Sequence, residues 1–133
     1  MLNNKVYAIS GCSGRIGESF TKCILENNGR VLLGDINIKK TDYYKKKYGN
    51  QKIQVFNKDL TIEKNIISIL NKGIKKFDRI DGAINCLYPK SAKWGLPIEK
   101  IEEEDLFFNL NAQLGSAIFF SKIFLGYFKK NKI

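Results

Sequence analysis

Short apolar runs alternate with longer amphipathic ones along the chain. Residues 5–10 (KVYAIS) predict a first strand that runs into a glycine-rich turn. Residues 16–28 predict a helix, with Ile16, Phe20, Cys23 and Ile24 near the 3.6-residue period and Gly29 as C-cap after Asn28. Residues 30–35 (RVLLGD) predict a second strand, 39–49 a polar helix ending at Gly49, and the alternation over 52–56 a third strand. Asp59-Leu60-Thr61 opens the next helix, with Thr61 as N-cap and Ile62, Ile66, Ile69 and Leu70 on one face. Residues 81–86 (DGAINC) predict a short fourth strand, and Pro89, Gly95 and Pro97 punctuate a loop over 87–98. The last segment, 102–128, predicts one long helix. Its Leu106, Phe107, Leu110, Leu114, Ile118, Ile123 and Phe124 give an apolar surface broad enough for burial on more than one side.

Strands alternating with helices specify right-handed βαβ units on a parallel sheet. No repeat, low-complexity tract or linker divides the 133 residues, so one α/β domain is expected.

Composition narrows the function classes. The 44% hydrophobic and 27% charged fractions are those of an ordinary globular protein. No apolar run reaches the ~18 residues of a membrane span, and residues 1–10 lack a signal-peptide pattern, so a cytoplasmic location is the expectation. With no histidine and no CxxC pair, a metal site and Ser-His-Asp or Cys-His chemistry are not expected. Cys12, Cys23 and Cys86 read as partly buried free thiols. The net charge of +10 comes mainly from lysines spread along the chain, with no aromatic residues interleaved in a stacking pattern. That pattern argues against a nucleic-acid partner.

The strongest local signal is Ser10-Gly11-Cys12-Ser13-Gly14-Arg15-Ile16-Gly17, lying after a predicted strand and opening a predicted helix. Gly11 permits the tight turn, Gly14 lets a pyrophosphate approach the backbone, and Gly17 lets the helix pack close to the sheet. The helix N-terminus then offers free N–H groups to phosphate. Asp35 ends the second strand about 18 residues later, near the ~20 expected of a ribose-binding acid. Its carboxylate accepts ribose hydroxyls and repels a 2′-phosphate, so NAD is favoured over NADP. With both features the expected architecture is a Rossmann-type three-layer α/β/α sheet of order 3-2-1-4, reaching the start of a fifth strand at Lys132-Ile133.

The order of these motifs resembles the short-chain dehydrogenase/reductase family along its first four βα units. Ser10–Gly17 is similar to the family's glycine loop, with Ser10 for the usual Thr and Arg15 at the middle glycine. Asp59-Leu60 matches its Asp-Val/Leu pair, which implies an adenine contact. Asn85-Cys86-Leu87-Tyr88 aligns with Asn-Asn-Ala-Gly, only Asn85 being kept, and Asn111 matches the helix asparagine that holds a proton-relay water. The resemblance implies cofactor contacts at Ser10, Gly11, Ser13, Gly14, Arg15, Ile16, Gly17, Asp35, Ile36, Asp59, Leu60, Asn85, Cys86 and Leu87. Tyr88, Lys90 and Trp94 are candidates for substrate contact.

A narrower resemblance is to the flagellin-modification branch. It is carried by Gly11–Gly17, by Ala83-Ile84-Asn85-Cys86-Leu87-Tyr88-Pro89, and by Asn109-Leu110-Asn111 with Leu114-Gly115. It implies a small-molecule substrate, an activated sugar of flagellin or surface glycan synthesis, and a homo-oligomer. The family's catalytic Ser and Tyr-x-x-x-Lys follow the fifth strand and would lie beyond residue 133, leaving these residues inactive alone. Tyr43-x-x-x-Lys47 matches the spacing but falls on the polar second helix, away from the expected nicotinamide end. An unpaired fourth strand and an uncovered 102–128 helix imply self-association. A non-catalytic NAD-binding module and, further off, a basic interaction protein are the alternative readings.

Overall fold

A computed structural model describes residues 1–133. Four strands, β1 (Val6–Ser10), β2 (Arg30–Asp35), β3 (Ile53–Asn57) and β4 (Gly82–Asn85), form one sheet in the order β3-β2-β1-β4. Every pairing is parallel, which each intervening helix makes possible by returning the chain to the same end of the sheet. In register, Ser10 sits beside Gly34 on one side and Asn85 on the other. The residues at the three strand ends, Gly11, Asp35 and Cys86, therefore meet at the C-terminal end of the sheet.

The helices are α1 (Arg15–Glu26), α2 (Thr41–Tyr48), α3 (Glu63–Phe77), α4 (Glu103–Leu110) and α5 (Ser116–Asn131). Alternation along the strands sorts the core into two layers. Val6, Ala8 and Leu32 pack with Leu60, Ile66, Ile69, Phe77, Phe120 and Phe124 beneath α3 and α5. Ile9, Val31, Leu33 and Ile53 pack with Ile24, Leu25 and Tyr44 beneath α1 and α2. The three-layer α/β/α arrangement matches the expectation. No helix is long and apolar enough to cross a membrane.

Several local expectations need correction. The face α1 buries is Gly17, Thr21, Ile24 and Leu25, whereas Ile16, Phe20 and Cys23 are exposed. A close approach to the sheet selects small residues there: a Cβ at Gly17 would overlap the Gly11 carbonyl, and the Thr21 hydroxyl returns to the Gly17 carbonyl at 2.8 Å. Beyond α1 the left-handed residue is Asn28 (φ 63°), not Gly29. Thr61 is not the N-cap of α3, which starts two residues later; its hydroxyl donates instead to Asp59 Oδ1 at 2.7 Å. Ile62 is exposed.

The single long helix over 102–128 is in fact α4 and α5 joined by a π-helical turn, Asn111–Gly115. Only part of its apolar surface is buried, through Phe120 and Phe124. Leu106, Phe107, Leu110, Leu114 and Ile118 are each about half exposed or more. Lys132-Ile133 do not begin a strand: Lys132 takes a left-handed conformation (φ 54°) and the Ile133 N–H donates to the Phe128 carbonyl at 3.1 Å, closing α5.

Candidate functional site

The turn out of β1 is built on backbone bonds. Gly11 N–H donates to the Gly34 carbonyl at 2.9 Å, and Gly14 N–H to Gly11 at 3.1 Å. Gly11 has φ 66°, and a Cβ there would stand 2.6 Å from the Cys86 carbonyl oxygen, so the chain can turn beside β4 only as glycine. Gly14 is different. Its φ and ψ are those of any extended residue, and a Cβ would meet only the Gly11 oxygen at 3.4 Å. Nothing in the protein fills the space in front of it. The first intrahelical bond of α1 is Glu18 N–H to Gly14, which leaves the N–H groups of Arg15, Ile16 and Gly17 without a helical acceptor.

Asp35 is fixed across from this loop. Its Oδ2 accepts the Ser13 N–H at 2.9 Å, and its Oδ1 accepts the Asn37 N–H at 3.1 Å. The Lys39 N–H donates to Ser13 Oγ at 3.2 Å, folding the turn after β2 back over the glycine loop. Asp59 spends one oxygen on Thr61, accepting its N–H at 2.8 Å and its hydroxyl at 2.7 Å; Oδ2 accepts neither. The Ser10 hydroxyl, fully buried, donates to Asn85 Oδ1, which also accepts the Leu87 N–H at 3.2 Å. Ser10 thus holds Asn85 and the loop after β4.

These elements enclose a groove of about 390 Å³ lined by Gly11, Ser13, Gly14, Asp35, Ile36, Asp59, Cys86, Leu87 and Tyr88 from the predicted set. Pro89, which closes the run shared with the flagellin-modification branch, lines it too, as do Asn37, Lys39 and Thr61, which no motif marks. Adjacency to Asp35 and Asp59 is the one signal that could have found those three. Ser10 and Leu60 lie buried behind the groove, and Gly17 beneath it. Arg15 and Ile16 are exposed on the first turn of α1. Lys90 is exposed and outside the groove. Trp94 packs edge-on against Tyr88, ring centroids 5.5 Å apart. Asn111 stands apart, in a cleft with Phe107, Leu114 and Ile118 at the start of the π-helical turn. Such turns recur at functional sites.

The thiols near the groove are not reactive groups. Burial, then the Asp35 carboxylate, pushes the Cys12 thiol up to about 12, and burial raises Cys86. Both stay protonated at neutral pH. The Tyr43–Lys47 spacing is not a catalytic pair either: the Lys47 ammonium lies over the rings of Tyr43 and Tyr48, at 5.8 and 5.0 Å, on the outer surface of α2.

A backbone cradle at a helix N-terminus, room in front of Gly14 and carboxylates at two strand ends fit a dinucleotide. The chain is 31% identical over 134 residues to the post-translational flagellin modification protein A of Campylobacter coli, covering 98% of this chain and 52% of that protein. It therefore spans about half the length of that relative. The fold superposes on a short chain dehydrogenase from Bacillus anthracis with a TM-score of 0.86 at 20% identity, over 100% of this chain and 53% of that one. A short chain dehydrogenase from Leptospira borgpetersenii with bound NAD+ gives 0.81 at 22% identity, over 98% and 48%. Other solved structures of this fold hold NADH or NADP. No protein-family profile matches the chain.

Proposed function

The chain belongs to the short-chain dehydrogenase/reductase family, and from that premise we propose that it binds a nicotinamide dinucleotide in the groove between Gly11–Gly17, Asp35 and Cys86–Tyr88, NAD in preference to NADP. The observation that carries this is the pairing of the open Gly14 backbone with Asp35 across one groove. The free N–H groups at the start of α1 take the diphosphate, Asp35 the adenosine ribose, and Asp59 Oδ2 the adenine amino group. Bound, the cofactor supplies a hydride acceptor or donor. Asn85, held by Ser10, keeps the loop after β4 against the other wall.

The intact enzyme, on this reading, oxidises or reduces an activated sugar for a flagellin or surface glycan; the Campylobacter coli relative is named for flagellin modification. Tyr88, Lys90 and Trp94 meet the substrate, and Asn111 holds a water for proton relay. These 133 residues, which hold no Tyr-x-x-x-Lys pair near the groove, bind the cofactor without turning it over.

The test is fluorescence titration with NADH and NADPH of the wild type and of Asp35→Ala. Hydrogen bonds to a charged group contribute roughly 1.5–3 kcal/mol, so Asp35→Ala weakens NADH at least about tenfold and narrows the gap to NADPH. Equal affinities in the two proteins would remove Asp35 from the site.

A further inference from the structure

The loop from β4 to α4 supplies one wall of the groove, through Cys86, Leu87, Tyr88 and Pro89. It is long, contains only short turns, and presents exposed Tyr88 and Trp94. Left to itself such a segment would sample many positions. The structure shows what restrains it. Gln113 Nε2 donates to the Pro89 carbonyl at 2.8 Å. One turn earlier, Asn109 Oδ1 accepts the Ser91 N–H at 2.9 Å, while its Nδ2 donates to Ser91 Oγ at 3.2 Å and to the Asp105 carbonyl at 2.7 Å. Lys93 then bridges Glu102 at 2.7 Å and Asp105 at 3.5 Å. The loop is fastened to α4 and the π-helical turn at three successive points, and Asn109 and Gln113 hold it by its backbone.

We propose that Asn109 and Gln113 are positioning residues for the dinucleotide groove. Through Pro89 and Ser91 they hold Tyr88, with Trp94 packed edge-on against it, as the outer wall against which the bound dinucleotide rests. They touch no ligand. The π-helical turn places Gln113 under Pro89 while Asn111 faces another cleft, so one short stretch sets the groove wall and separately carries the asparagine proposed for proton relay. This inference rests on the dinucleotide reading above.

Trp94 is the chain's one tryptophan and packs against Tyr88, so its emission reports on the loop that carries this wall. The experiment compares wild type, Gln113→Met, which keeps length and helix propensity but loses the donor, and Gln113→Lys, which keeps a donor. Each is titrated with NADH under 295-nm excitation, with far-UV circular dichroism and melting recorded. Loss of one neutral hydrogen bond predicts that Gln113→Met binds NADH roughly three- to tenfold more weakly. Its Trp94 emission shifts to the red and energy transfer to NADH falls, while Gln113→Lys recovers both. Asn109→Ala repeats the loss. Overturning results are a folded Gln113→Met that binds NADH within twofold of wild type, or one that loses melting temperature alone. If a folded wild type fails to bind NADH at all, the dinucleotide reading fails first, and the clamp fails with it.

Discussion

Gly14, the N-cap of α1, and Gly17, in its first turn, stand three residues apart, yet the structure assigns them opposite duties, and substitution by alanine separates the two. At Gly17 a Cβ would overlap the Gly11 carbonyl and stand 2.8 Å from Cys12 Cα. Neither neighbour can move without opening the turn out of β1, so Gly17→Ala carries an overpacking cost of roughly 1–3 kcal/mol. At Gly14 the backbone is extended (φ −76°, ψ 164°) and the nearest atom is 3.4 Å away. Loss of a capping glycine and reduced freedom of the unfolded chain nearly offset, leaving Gly14→Ala within about 1 kcal/mol of wild type. In a domain of this size 1 kcal/mol is roughly 4 °C of melting temperature. The methyl group, however, projects into the space where the diphosphate must meet the backbone. Gly14→Ala should therefore melt within about 4 °C of wild type and bind NADH at least tenfold more weakly, whereas Gly17→Ala should lose several degrees or fail to fold. Thermal melts and NADH titration on the same samples decide it. A well-folded Gly14→Ala with unchanged NADH affinity would refute the placement of the diphosphate at this loop.

Other expectations concern stability and assembly. Asp81 leads into β4 with its side chain 5% exposed, accepting the Val6 N–H at 2.9 Å and pairing with Lys5 and Arg79. Burial raises its carboxyl, but the bonds from Val6, Lys5 and Arg79 outweigh that and lower it overall. A lowered folded-state value stabilises above the unfolded value of about 3.9 and is lost as pH falls through the folded one. Wild type should exceed Asp81→Asn in stability by ~1–2 kcal/mol near neutrality. The gap should close below pH ~4. Urea melts at several pH values check this, and a pH-independent gap would contradict it. The open face of α4 and α5 and the free edge of β4 should make the chain self-associate. Phe107→Glu should shift it toward monomer in sedimentation velocity, and a wild type already monomeric at high concentration would contradict this.

Much of the fold was legible because the pattern of short apolar strands between helices admits few topologies. The glycine loop and Asp35 stood out because a phosphate cradle and a ribose acceptor would demand such residue types at those strand ends, and Asp59 through the family resemblance; the structure brings all three to one groove. What escaped depends on contacts that spacing does not encode. The buried face of α1 was misassigned because Gly17 and Thr21, not the larger Ile16 and Phe20, permit the approach to β1. Thr61 was misread as a cap because Asp59 captures its hydroxyl. The π-helical turn leaves no trace in apolar periodicity, and the bonds by which Gln113 and Asn109 fasten the loop depend on the three-dimensional placement of Pro89 and Ser91. Asn37 and Lys39 reach the groove through backbone bonds to Asp35 and Ser13, which any residue other than proline could make.

The most direct measurement is an amide ¹H–¹⁵N correlation spectrum of the chain titrated with NAD+. A dinucleotide in this groove should give saturable shifts confined to residues 11–17, Asp35 to Asn37, Asp59 to Thr61, and Cys86 to Tyr88. A folded chain whose shifts do not respond, or respond only along the lysines of α2, would contradict the central claim that this groove is a dinucleotide site.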